Sequence, residues 1–148
     1  MANEYSKENV WKIMEDSRTV NFIRAIGLPD RKNIRIDIET YTAIDGEASQ
    51  ELVDELHILR QDMTRRTAKT LKKLDVTAEE LKCGLSDEKA VKQVSEYLHK
   101  YDGVIVSYGT CAVISDINKI AMEFQIPLVE NNQFDMKKMT KKCDEDYP

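Results

Sequence analysis

Asp37 and Glu39 stand two residues apart in the run Ile34-Arg35-Ile36-Asp37-Ile38-Glu39. Side chains alternate along a strand, so the isoleucines share one face and Arg35, Asp37 and Glu39 the other. Two carboxylates held about 7 Å apart on a strand suit a divalent cation. Hard cations take carboxylate oxygens, and bound ions of this kind drive phosphodiester hydrolysis. The same pattern also describes a solvated face on which Arg35 neutralises Asp37. A metal site needs a third carboxylate, and Asp116 is the candidate. It lies about 100° around its helix from Ile117, at the edge of the apolar side, where it could equally serve as a cap.

A second candidate is the turn Ser107-Tyr108-Gly109-Thr110. Ligands bind beyond the carboxyl ends of parallel strands, and a helix N-terminus offers free N–H groups to an anion. Gly109 permits close approach, and Ser107 and Thr110 can donate hydrogen bonds. A tight turn with a Thr cap accounts for the same residues. His57 and His99 have no partner at metal-ligand spacing and read as surface or boundary positions on helices. Cys111 follows the turn, where a helix N-terminus could lower its pKa, but no His lies near it in sequence. The block Arg65, Arg66, Lys69, Lys72 and Lys73 is the one patch able to contact phosphate, and it equally describes a solvated helix end.

The elements that would hold these groups can be read from periodicity. A first helix is expected over about 6–26, with Val10, Trp11, Met14, Ile23 and Ile26 at helical spacing and Gly27 and Pro29 as its stop. The strand 34–39 follows. Leu52, Leu56, Leu59, Met63, Thr67, Leu71 and Leu74 step by three or four, which predicts one long amphipathic helix over 47–74, acidic at its start and basic at its end. Thr77-Ala78-Glu79-Glu80 is a capping box closed by Gly84. Ser86 caps a helix with Val91, Val94, Tyr97 and Leu98 inward. Strand 103–107, helix 112–124 and strand 126–129 form a βαβ unit. Phe134, Met136 and Met139 mark a basic amphipathic segment. The expected fold is therefore α/β, a small mainly parallel sheet covered by helices.

The chain has 148 residues, 41% of them hydrophobic, with a net charge of −5. That size suits one domain, 1–148, with 143–148 as a disordered acidic tail. A general nucleic-acid binder is normally basic, so contact with nucleic acid would need a local basic patch or bound metal. The three cysteines, Cys83, Cys111 and Cys143, form no CxxC pair. They read as reduced thiols, and with no signal-peptide pattern and no apolar run of about 20 residues a cytoplasmic protein is expected. The long apolar stripe and Trp11 leave more apolar surface than three short strands can cover. A homodimer or a complex with another protein is expected, without membrane association.

Asp37-Ile38-Glu39-Thr40 resembles the first motif of the DEDD-type 3′–5′ exonucleases, an Asp-x-Glu on the first strand. Val76-Thr77-Ala78-Glu79-Glu80-Leu81 resembles the segment before the family's second motif strand. Val104–Gly109 with Asp116 is similar in position to that motif, and Asp135 falls near a further strand and Asp. The resemblance implies a nuclease with Mg²⁺ or Mn²⁺ at Asp37, Glu39 and Asp116, acting on nucleic acid. Three departures accompany it, one of them a spacing from Gly109 to Asp116 longer than the family pattern. Residues 47–74 read as helix where the family has a β-hairpin, and the C-terminal His or Tyr followed by Asp is absent. The other reading is a non-catalytic regulator, a nuclease-like scaffold acting through its helical surface.

Overall fold

The computed structural model describes residues 18–28, 31–44, 47–107 and 112–135. Five strands, β1 (Thr19–Leu28), β2 (Arg31–Ile44), β3 (Glu47–Leu59), β4 (Val104–Ser107) and β5 (Gln133–Asp135), form one sheet in the order β3-β2-β1-β4-β5. β1, β2 and β3 are antiparallel neighbours, whereas β4 runs parallel to both β1 and β5. The helices are α1 (Ala68–Leu74), α2 (Ala78–Lys82), α3 (Asp87–Lys100) and α4 (Ala112–Glu123). Among the described residues no helix is long and apolar enough to cross a membrane.

The expected small, mainly parallel sheet is thus corrected to a mixed and mostly antiparallel one, and its long hairpin arm replaces the helix expected over 47–74. Leu56 and Ile58 alternate with Glu55 and His57, and this period of two decides the outcome. Ile58 and Leu56 pair in register with Ile36 and Ile38, so the apolar face of β2 continues into β3. A helix here would have left that face of β2 without a neighbour. Helix appears only after Thr67, whose side chain accepts from the Thr70 amide.

The first expected helix is also overturned where it can be seen, since 19–28 is strand. Val20, Ile23 and Ile26 are β-branched and fit a pleated surface better than a helix. Residues 6–17, with Trp11, lie outside the described residues. The predicted strand 126–129 is irregular chain, and the third parallel strand is Gln133–Asp135. Asn118 explains the displacement. Its amide donates to the Val129 carbonyl at 3.0 Å and accepts from the Val129 amide at 2.9 Å, satisfying that backbone outside the ladder.

Other expectations hold. Thr77 and Glu80 form the capping box of α2, and Ser86 caps α3. Val104–Ser107 is buried on both faces. The main core lies between the sheet and α3 and α4, where Ile23, Ile36, Ile38, Ile58 and Ile105 meet Val91, Val94, Leu98, Val113 and Ile117. Burying each such side chain contributes about 1.5–3 kcal/mol. A second cluster, Val20, Val104, Val106 and Phe134, includes side chains from the opposite face of β4. Leu28, Ile34, Leu74 and Leu81 close the end of the sheet against α1 and α2. The apolar stripe behind the expected self-association is divided between a strand and a short helix, so that argument for a dimer falls.

Candidate functional site

β2 places Ile36 and Ile38 against the helices and therefore turns Asp37 and Glu39 to the opposite face. Asp37 lies between Arg24 on β1 and His57 on β3, its register partners on either side. Its Oδ1 is 2.6 Å from His57 Nδ1, and its Oδ2 is 3.6 Å from Arg35 Nε and 3.7 Å from Arg24 Nη2. The bond from Asp37 raises the His57 pKa above its ordinary value; burial opposes this, and Glu55 on the other ring nitrogen adds to it. His57 is thus a strand residue with a carboxylate partner, not the isolated helical surface position expected. Sequence reasoning missed the pair because it placed His57 on a helix. The signal was the alternation Glu55-Leu56-His57-Ile58.

Glu39 is exposed and accepts a hydrogen bond from the Tyr41 phenol at 3.0 Å. That bond, with some burial and the charges of Glu39 and Glu55, holds the phenol above its usual range. Asp116 lies on α4, the helix packed on the isoleucine face. Its Oδ2 accepts from Arg60 Nη1 and from the Asn33 side-chain amide, each at 3.2 Å. β2 therefore brings Asp37 and Glu39 together, and Asp116 belongs to a separate cluster across the sheet.

This arrangement does not fit a divalent cation. A metal would meet Asp37 through oxygens already facing an imidazole and two guanidiniums, whose positive charge opposes its approach. Among the described residues no group of three His, Cys, Asp or Glu side chains could hold a metal ion. Strand identity points the same way. The resemblance would put the Asp-x-Glu motif on a first strand, but Asp37 and Glu39 sit on β2, the second of the described strands, and β1 reads TVNFIRAIGL without a carboxylate.

Of the anion-binding candidates, Ser107 is the buried last residue of β4, and Gly109 and Thr110 lie outside the described residues. Cys111 lies outside them too. Asp135 is buried on β5, in register with Ser107. His99 is bound within its own helix, Nδ1 standing 2.7 Å from the Ser95 carbonyl. Of the basic block, Arg66 is held by buried Asp62 at 2.7 Å, while Arg65, Lys69, Lys72 and Lys73 are exposed.

Two polar clusters escaped sequence reading because their members are far apart in the chain. Arg60 is buried, its Nη2 3.1 Å from Asp87 and its Nη1 3.2 Å from Asp116. It also donates to the Asn33 carbonyl at 3.3 Å, so the end of the β2–β3 arm is tied to α3 and α4. Beneath the sheet, Thr40 donates to Asn21 Oδ1 at 2.7 Å and stands 2.6 Å from the Tyr97 hydroxyl. The Asn21 amide reaches the Tyr101 carbonyl at 3.0 Å. These are satisfied buried networks that fix register and packing.

No family profile and no curated protein matches the sequence. A solved structure of SSB/Exonuclease I in complex with the inhibitor CFAM is similar, with a TM-score of 0.61 and 8% identity. The match covers 87% of this chain and 31% of that one. Exonuclease I is of the DEDD type. At that identity the likeness concerns the fold alone.

Proposed function

We propose that this chain is a non-catalytic exonuclease-like domain that acts by associating with another macromolecule. One observation carries the reading: the pair Asp37 and Glu39, which resembles the family's first motif, lies on β2, with its Asp enclosed by Arg24, Arg35 and His57. A strand face that neutralises its own carboxylate holds structure together, whereas a cation site presents several carboxylate oxygens whose negative charge draws the ion. The fold supports descent from, or convergence on, a nuclease scaffold, and a fold hosts functions other than its best-known one.

The test is a thermal melt with saturating Mn²⁺ and, on the same preparation, a cleavage assay on labelled single-stranded DNA. An ion bound only by the folded state at a hundred times its Kd would add about 2.7 kcal/mol, a shift of several degrees. The expected result is no shift and no cleavage. A Mn²⁺-dependent rise in Tm, lost together with cleavage in Asp37→Asn, would establish a nuclease and end this proposal.

A further inference from the structure

β3 is the outermost strand of the sheet, and among the described residues it pairs with β2 alone. Its outer side offers backbone N–H and C=O groups along part of its length, a template on which another strand can form, while the Glu55 amide is held by Asp54 Oδ1 and the Leu59 carbonyl by the Leu85 amide. Natural edges are blunted by short length, charged side chains, Pro or bulges. β3 is long and has no Lys or Pro, and its protection consists of four acids and a bulge at Val53. It also exposes two adjacent aliphatic side chains, Leu52 at 43% and Val53 at 46%. Thr40 pairs with Asp54 and Tyr41 with Leu52, so Val53 is the extra residue of a bulge, and the two side chains form an apolar step there rather than a regular alternation.

Charge identifies the occupant. β3 carries Glu47, Glu51, Asp54 and Glu55 and has no Lys or Arg. Glu55 also stands in register with Glu39, and His57 lies 3.4 Å from the Glu55 carboxylate, so this acidic stretch already draws one basic group to it. A second copy of this chain would bring the same acids against these, edge to edge, and is disfavoured. A nucleic-acid strand would meet the same negative charge. We propose that β3 is the docking edge for an extended segment of another protein in which Lys or Arg alternates with aliphatic residues. This names the partner class for the non-catalytic reading and rests on it.

The experiment is fluorescence anisotropy of the full chain with a fluorescein-labelled peptide alternating Lys and Val. Two control peptides accompany it: the same sequence N-methylated at alternate residues, and one alternating Glu and Val. Hydrogen exchange of residues 47–59 is followed in parallel. The Lys/Val peptide should bind and slow exchange along β3. N-methylation removes several backbone donors and should weaken binding about tenfold or more. The paired change Glu51→Lys and Glu55→Lys should weaken it similarly, and the Glu/Val peptide should bind the wild type no better than that variant binds Lys/Val.

Equal binding of the N-methylated peptide would reduce the effect to side-chain charge and overturn strand addition. Equal binding of the Glu/Val peptide would overturn the assignment of a basic partner. A dimer in sedimentation that Leu52→Lys dissolves would make a second copy the occupant, against the proposal. Nuclease activity in the same preparation would instead sink the non-catalytic reading, whatever the peptides do.

Discussion

Replacing Asp37 with Asn keeps the shape of the side chain and removes the charge on which Arg24, Arg35 and His57 converge. The two accounts of this residue predict opposite signs. In a metal site without its ion, carboxylates repel one another, and neutralising one leaves stability unchanged or raises it. In a neutralised cluster the same change strands the cations. A shielded hydrogen bond to a charged group contributes about 1.5–3 kcal/mol, but the His57 side chain is 52% exposed, and solvent screening lowers its share to about 1 kcal/mol. Arg35, 28% exposed and 3.6 Å away, adds about 0.5 kcal/mol at most, and Arg24, 77% exposed, adds little. Asn still accepts one hydrogen bond, so the expected loss is about 1 kcal/mol, or about 2–4 °C in Tm. Urea denaturation without metal measures it, and NMR titration should show the His57 pKa falling toward 6.5, its ordinary value. A variant as stable as the wild type, or more so, would refute the reasoning.

The His57–Asp37 pair also makes stability depend on pH. Its pKa is raised in the fold above 6.5, so its contribution is fully present below 6.5 and is lost as pH rises through the folded value. Asp62 has the opposite sense: burial pushes its pKa up, but the bonds from Arg66 and the Thr64 amide outweigh this and hold it below 3.8, so its contribution is present above 3.8 and is lost as pH falls through the folded value. Melts across pH should therefore show an alkaline decline that His57→Gln flattens; an identical decline in the variant would assign it elsewhere. Gly103→Ala would place a Cβ 1.9 Å from the Thr19 carbonyl oxygen, where β4 enters beside β1. It is expected to cost about 3 kcal/mol or more in urea denaturation, and a loss under about 1 kcal/mol would show that the two strands can separate locally.

Periodicity and capping settled the elements whose signals are local. Thr77 and Glu80, Ser86, the four-residue strand Val104–Ser107 and the apolar side of α4 are all set by residues within one or two turns of each other, so the chain itself records them. The alternating isoleucines of β2 are as local, and they correctly placed Asp37 and Glu39 on the face away from the core. What the sequence left open is which segment lies beside β2. Leu52, Leu56 and Leu59 suit a helix, while Leu56 and Ile58 suit a strand, and only pairing with Ile38 and Ile36 makes the second arrangement win. The charge state of the face follows from that choice alone. Asp37 meets His57 because a hairpin brings residues 20 apart in sequence to 2.6 Å, and Asp116 turns to Arg60 because α4 packs across the sheet. Strand pairing and helix docking are long-range contacts, so a short motif such as Asp37–Glu39 could suggest metal chemistry, and only the tertiary structure surrounds it with cations.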